Sequence, residues 1–161
     1  MLISNASTLI LLAKATLLQK FLDHFKVTIS DKVLDEVTQD RNAFDAKLIQ
    51  KEVEIRRIKV RKIDSEKIKS VLKEFRLDEG EASAYVLFKK CRGKAILTDD
   101  KELIKLCQIE RVPFICTLAV VVRMFEKGLL TKEEAREKLD RINDYGRYSK
   151  SIYEYFKSKV K

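Results

Sequence analysis

The sequence contains little proline, glycine, histidine or tryptophan. Among its 161 residues there are one proline, four glycines, one histidine and no tryptophan. This composition, with 45% hydrophobic residues, excludes collagen-like and Pro/Gly-rich disordered chains. The cysteines Cys91, Cys107 and Cys116 form no CxxC pair, which argues against a structural zinc site and for reduced thiols. We expect a single folded domain over residues 1–161.

Long hydrophobic runs are also missing. Residues 9–13 and 118–122 are the longest apolar stretches, far below the roughly 20 residues that span a bilayer. The first of them follows polar residues and has no basic leader, so it does not resemble a signal peptide. We therefore expect a cytoplasmic protein with no membrane segment.

The charge is strongly positive. Lys and Arg outnumber Asp and Glu by 34 to 25, giving a formal net charge of +9. Such an excess favours polyanionic partners, with nucleic acid ahead of anionic lipid. A sequence-specific DNA-binding regulator would also explain the charge. It would need an exposed basic helix in a helix-turn-helix pair, and the strand-rich pattern offers no place for one.

The apolar residues alternate between strand-like and helix-like patterns. Short apolar stretches at 1–4, 26–30, 94–97 and 112–116 are each followed by helical periodicity, and Ile58 with Val60 suggests a short edge strand. Helix starts are indicated at Asp64, Gly80 and Thr131, and Gly128 is expected to stop the helix that begins near Thr117. This pattern predicts an α/β fold with right-handed crossovers around a twisted, mostly parallel sheet of about 4–5 strands.

Acidic or amide side chains follow the predicted strands or begin the helices after them: Asn5, Glu36, Glu81, Asp99 and Asp100. In open parallel sheets ligands bind beyond the carboxyl ends of the strands. Two carboxylates about 4 Å apart repel by roughly 4 kcal/mol at an effective dielectric of about 20, so a cluster needs a cation or shifted pKa values. Oxygen ligands suit Mg²⁺ or Mn²⁺. The alternative at each position is a carboxylate that only stabilises a helix N-terminus.

Several segments resemble the motifs of PIN domains in order and spacing. They are Ser-Asn-Ala-Ser-Thr-Leu-Ile at 4–10, Val-Thr-Ile-Ser-Asp-Lys-Val-Leu-Asp-Glu at 27–36, Gly-Glu-Ala-Ser-Ala at 80–84, Leu-Thr-Asp-Asp-Lys at 97–101, and a closing strand and helix at 112–122. The resemblance covers residues 1–130. It implies a three-layer α/β/α fold in which 1–130 is the motif-bearing core and 131–161 adds C-terminal helices.

The resemblance also implies a function. The Ser-Asn opening and the Gly-Glu-Ala motif are similar to the VapC-like toxin ribonucleases of toxin–antitoxin pairs. That subgroup implies an endoribonuclease in which Mg²⁺ or Mn²⁺ activates the water that hydrolyses RNA, a homodimer, and an antitoxin as partner. The implied catalytic acids are Glu36, Glu81, Asp100 and Asp99; the implied metal ligands add Asn5, and Ser7 with Thr117 would hold a ligand or water behind them. Because neighbouring helical residues point about 100° apart, Asp100 is expected to be the closer ligand of the Asp pair.

The sequence departs from the family pattern at Asn5, where most PIN domains carry Asp. An amide oxygen coordinates a cation but supplies no net charge, so the affinity for the cation is expected to fall. The alternative function is a degenerate PIN domain with a weakened metal site that binds RNA or a partner protein.

The C-terminal segment from Tyr145 onward allows two interpretations. Basic and aromatic residues alternate there, as suits contact with phosphates and stacking on bases. They are Arg147, Tyr148, Lys150, Tyr153, Tyr155, Phe156, Lys157, Lys159 and Lys161. The helical spacing of Ile152, Tyr155 and Phe156 instead favours docking of a last helix on the domain or on a second subunit.

Overall fold

A single parallel sheet organises the structure, a computed structural model that describes residues 1–161. Its strands are β1 (Leu2–Ser4), β2 (Val27–Ser30), β3 (Ile58–Arg61), β4 (Ile96–Leu97) and β5 (Phe114–Ile115). They lie in the order β3-β2-β1-β4-β5, and every neighbouring pair is parallel. The predicted parallel sheet and its edge strand β3 are confirmed. Strands β4 and β5 have two residues each, shorter than the apolar stretches that predicted them.

Ten helices surround the sheet. They are α1 (Ala6–Lys14), α2 (Leu18–His24), α3 (Asp31–Val37), α4 (Phe44–Glu54), α5 (Ser65–Glu74), α6 (Glu79–Cys91), α7 (Lys101–Ile109), α8 (Thr117–Glu126), α9 (Lys132–Tyr145) and α10 (Lys150–Ser158). Helix α1 packs against α4, α8 and α9, whereas α6 packs against α5 and α7. Right-handed crossovers in both directions from β1 put these two groups on opposite faces of the sheet, which confirms the three-layer α/β/α prediction.

Burial explains why the central strands read as short apolar runs. All four residues of β2 are buried, and so are Ile3 and Ser4 of β1, because helices cover both faces of the sheet. In β3 only Ile58 is buried while Lys59 and Arg61 are exposed, as expected for an edge strand. The core is one cluster of 39 buried residues that extends from Ile3 to Val160.

Side-chain caps fix the helix starts. Asp64 accepts a hydrogen bond from the Glu66 amide at 2.9 Å, and Thr131 forms a capping box, as the sequence predicted. The helix expected to open at Gly80 begins one residue earlier, with Asp78 as its cap. Gly128 has a φ of +73°, so the left-handed conformation that glycine tolerates follows α8 where a stop was predicted.

A buried ion pair ties α4 to the β3 side of the sheet. The Glu52 side chain is 1% exposed, and its Oε2 lies 3.3 Å from Nε of Arg57. The Arg57 guanidinium also donates to Asp23 Oδ1 and to the Gln19 carbonyl, each at 2.6 Å. One arginine therefore links the end of α4 to α2.

The C-terminal helix docks on the domain. Helix α10 packs against α8 and α9, and Val160 beyond it is 1% exposed. Tyr148, Tyr153 and Phe156 lie partly buried against the core, whereas Ile152 and Tyr155 remain 46% and 56% exposed. The docking interpretation thus describes part of this segment, and Tyr155 stays on the surface. No helix of the structure is both long and apolar enough to cross a membrane.

The strand order reverses between β1 and β4. Ser4 at the end of β1 lies beside Leu97 at the end of β4 in the parallel register. Chain connections leave this pair in opposite directions, which opens a crevice beyond the strand ends where α/β proteins place ligands. Asn5 follows one of these strands, and Thr98, Asp99 and Asp100 follow the other.

Candidate functional site

A cleft of about 530 Å³ opens at this crevice and has two chemically different walls. One wall carries the five predicted oxygen ligands, Asn5, Glu36, Glu81, Asp99 and Asp100. The other carries basic and aromatic residues, Lys14, Tyr145, Arg147 and Tyr148. The structure therefore brings together side chains that the sequence separates by up to 95 positions on the acidic wall alone.

Asn5 lines the cleft and carries a buried side-chain oxygen that no other group in the protein uses. It is the residue before α1, where Asn normally caps the helix, yet its side chain makes no capping bond. Its amide nitrogen instead donates to Thr98 Oγ1 at 3.3 Å, and its Oδ1 is buried with no hydrogen-bond partner. Because a buried acceptor without a partner costs about 1–3 kcal/mol, this oxygen gains from any ligand that coordinates it.

Asp99 is held by four hydrogen bonds. Its Oδ1 accepts from the Thr117 amide at 2.9 Å and from the Tyr148 hydroxyl at 2.5 Å. Its Oδ2 accepts from the hydroxyls of Thr8 and Thr117. A carboxylate has about four lone-pair sites, so Asp99 has none left for a cation in this conformation. The Ser7 hydroxyl accepts from the Asp99 amide at 3.1 Å and fixes the backbone.

Glu81 and Asp100 form a pair of interacting carboxyls. The pKa of Glu81 is raised to about 8, first by burial and then by the negative charges of Asp78 and Asp100, against a hydrogen bond from the Asp78 amide that lowers it. Asp100 caps α7 through a 2.8 Å bond from the Leu103 amide. Glu81 completes the Asp78 capping box of α6. Both acids thus have the helix-terminal role that was the alternative to ligation, and both line the cleft as well.

Glu36 packs closely against Gly80 at the edge of the cleft. A Cβ on Gly80 would lie 2.5 Å from Glu36 Oε2, so a larger residue at position 80 would require the carboxylate to shift. Partial burial raises the pKa of Glu36, and the charges of Asp78 and Asp100 raise it further. A buried 2.6 Å hydrogen bond between the hydroxyls of Ser30 and Ser83 holds the start of α3 against α6.

The donor set fits a hard divalent cation. All candidate ligands are oxygens, one of them is a buried acceptor without a partner, and two carboxyls have pKa values raised by burial and by neighbouring negative charges. In the present conformation no three acidic side chains lie close enough together to hold one ion. Coordination would therefore require the longer Glu36 and Glu81 side chains to turn inward.

The sequence missed the basic and aromatic wall. Tyr148 belongs to the segment considered only for RNA contact or helix docking, yet its hydroxyl bonds Asp99. Its ring folds back over Gly146, where a Cβ would lie 2.4 Å from Tyr148 Cε2. Thr8 was also missed, although a hydroxyl residue on the apolar helix α1 was a signal in the sequence. Ser7 and Thr117, which the motif resemblance placed behind the ligands, both form hydrogen bonds with Asp99.

Comparison with known proteins identifies one family. The DUF3368 family model, described as a PIN domain, matches residues 1–161. Neither the curated proteins nor the solved structures gave a match to the chain.

Proposed function

Because this chain belongs to the PIN-domain family, whose members are in general nucleases, we propose that it is an endoribonuclease that depends on Mg²⁺ or Mn²⁺. The observation that carries the proposal is the convergence of Asn5, Glu36, Glu81 and Asp100 on one cleft at the strand-order reversal. The net charge of +9 supports a polyanionic substrate.

Four side chains would hold the cation. Asn5 Oδ1 offers a neutral oxygen, and Glu36, Glu81 and Asp100 offer charged ones. When bound, a divalent cation lowers the pKa of a ligated water and balances charge on phosphoryl oxygens. Asp99 has a different task in this proposal. It orients Thr117 and Tyr148 behind the ligands, and it would join them only after giving up one of its hydrogen bonds.

The Asp100→Asn substitution tests the proposal. Asn caps a helix about as well as Asp, so the variant removes the charge and keeps the start of α7. Asp64→Asn is the matched control, because Asp64 caps α5 and does not line the cleft. We expect wild-type protein and the control to cleave single-stranded RNA with Mn²⁺ and to bind Mn²⁺ in calorimetry, and Asp100→Asn to lose both. Equal cleavage by Asp100→Asn would refute the metal site.

A second candidate function is a PIN domain that binds RNA or a partner protein without cleaving. Asn5 in place of an acid and the four hydrogen bonds on Asp99 favour it, since both reduce the charge available to a cation. Asn5→Asp distinguishes the two. Tighter Mn²⁺ binding with newly gained cleavage would indicate a site weakened in this protein, whereas an inactive wild type and an inactive variant would favour the binding module.

We also propose the toxin role in a toxin–antitoxin pair, with an antitoxin as partner and a homodimer as the assembly. The support is the motif resemblance at Ser4–Asn5 and Gly80–Glu81. Expression in a bacterial host should then arrest growth, and Asp100→Asn should relieve the arrest. Light scattering measures the mass of the assembly, and a monomer with harmless expression would contradict this role.

A further inference from the structure

The basic and aromatic residues of the cleft lining have the chemistry of a nucleotide-binding surface. We define the basic rim as Lys14, Tyr145 and Arg147, which all line the cleft. Lys14 ends α1, Tyr145 ends α9, and Arg147 lies in the connection from α9 to α10. Two separate parts of the chain thus meet in the cleft that also holds the acidic residues.

The cations of the basic rim have no acidic partner within the protein. Neither Lys14 nor Arg147 forms an ion pair with any carboxylate, and neither side chain donates a hydrogen bond. Both side chains are exposed. Their charges therefore remain unneutralised, although five carboxylate or amide side chains line the same cleft.

The aromatic member of the basic rim, Tyr145, is also exposed to solvent. Tyr145 is 56% exposed, and Lys14 Nζ lies 5.6 Å from the centre of its ring. A ring held beside a lysine offers a base a face on which to stack and its phosphate a nearby positive charge. The basic rim is thus chemically complementary to a base and its phosphate, and not to an apolar partner.

The rim is held at a fixed place by its neighbours. The Tyr148 hydroxyl bonds Asp99, and the Gly146 amide bonds the Ile142 carbonyl at 2.8 Å. Residues 145–148 therefore cross the cleft between an anchor on the acidic wall and the last turn of α9. This arrangement fixes the distance from the basic rim to the acidic cluster.

We propose that the basic rim binds one unpaired nucleotide of single-stranded RNA, with Tyr145 stacking on the base and Lys14 and Arg147 contacting phosphates. The inference rests on the proposed function, since it places an adjacent phosphodiester at the acidic wall. It names the substrate as an unpaired strand, because a base within a duplex has no free face for Tyr145.

Binding of labelled single-stranded RNA, measured by fluorescence anisotropy in EDTA, tests the rim apart from cleavage. Tyr145→Ala should weaken binding about 5- to 100-fold, as loss of one stacked base does, and Tyr145→Phe should restore it. The Lys14→Gln/Arg147→Gln double variant should lower the slope of log affinity against log salt by about 1.4, which is two phosphate contacts on a single strand. Duplex RNA of the same sequence should show no effect of Tyr145→Ala.

Helix α10 offers a matched control. Lys159 Nζ lies 4.8 Å from the ring centre of Tyr155, which is also 56% exposed, and this pair lies outside the cleft. Tyr155→Ala and Lys159→Gln make the same chemical changes there and should leave binding unchanged. Equal losses from both pairs, or none from the rim, would overturn the inference.

The two proposals fail differently. Cleavage that depends on Asp100, with binding indifferent to the rim, would overturn this inference and leave the nuclease proposal intact. Rim-dependent binding without cleavage under any divalent cation would do the reverse. A wild-type protein that neither binds nor cleaves RNA would overturn both.

Discussion

Replacing Gly80 with alanine should stabilise the protein and damage its site at once. Residue 80 lies in the first turn of α6 with ordinary helical geometry, so alanine should raise the free energy of unfolding by about 0.4–1 kcal/mol through the unfolded chain. The new Cβ would lie 2.5 Å from Glu36 Oε2, where ordinary contacts begin at 3.4 Å. The carboxylate must therefore move by about 0.9 Å, which the flexible end of a long side chain does at little cost.

That small displacement matters more to a cation than to the fold. A Cβ on residue 80 takes up space that the Glu36 carboxylate now occupies beside α6, so it limits the positions from which this side chain can turn toward a cation, and cation–oxygen distances tolerate only about 0.2 Å. Loss of a supporting residue of this kind typically lowers metal affinity about 10–100-fold, or about 1.4–2.7 kcal/mol. The variant should thus have tighter folding and weaker Mn²⁺ binding.

Two measurements on each protein decide the matter. Urea denaturation in EDTA gives the free energy of unfolding, and calorimetry gives the Mn²⁺ affinity. Glu79→Ala is the control, since Glu79 is exposed in the same turn and does not line the cleft. Glu36→Gln should reproduce the loss of Mn²⁺ affinity. Unchanged Mn²⁺ affinity in Gly80→Ala, or destabilisation of it in EDTA, would refute the reasoning.

Three further perturbations follow from other contacts. Tyr148→Phe removes the hydroxyl that bonds Asp99 and should cost about 1.5–3 kcal/mol, with faster amide exchange after residue 145; unchanged exchange would contradict the anchoring role. Arg57→Ala leaves the buried Glu52 carboxylate without its partner and should cost about 3 kcal/mol in urea denaturation, part of which Glu52→Gln should restore in the double variant. The pKa of Glu81 is raised to about 8, so in EDTA the stability that this group contributes below about pH 4.5 is lost as the pH rises through about 8. Glu81→Gln should therefore flatten the decline in melting temperature over this range. An equal decline in the variant would show that Glu81 does not cause it.

The sheet could be predicted because its central strands are buried on both faces, which leaves a recognisable pattern in the sequence. Strands such as β2 are buried on both faces, so nearly every residue is apolar or small, and the helical periodicity between them gives the crossovers. The short strands were overestimated for the same reason. Ala95 and Val112 are apolar and buried next to β4 and β5, yet only two residues of each stretch pair in the ladder.

The site could be predicted only where its residues follow strands or repeat a motif. The places of Asn5, Asp99 and Asp100 after β1 and β4 predict them, and Glu36 and Glu81 are predicted from their places near helix starts together with the motif resemblance. Tyr148 could not be found, because its contact with Asp99 depends on how the connection after α9 folds across the cleft. No local pattern encodes that path. Its one requirement in the sequence is Gly146, which leaves room for the Tyr148 ring.

The hydrogen bond from Tyr148 to Asp99 joins two parts of the chain that are synthesised at different times. A growing chain that has reached Arg123 already contains all five oxygen ligands and the Thr117 hydroxyl, whereas Tyr148 is added later. Since domains emerge from the N-terminus during synthesis, the acidic wall is complete before the connection that crosses the cleft exists. The fourth hydrogen bond of Asp99 and the residues Tyr145 and Arg147 of the basic rim are therefore added only when translation is nearly finished.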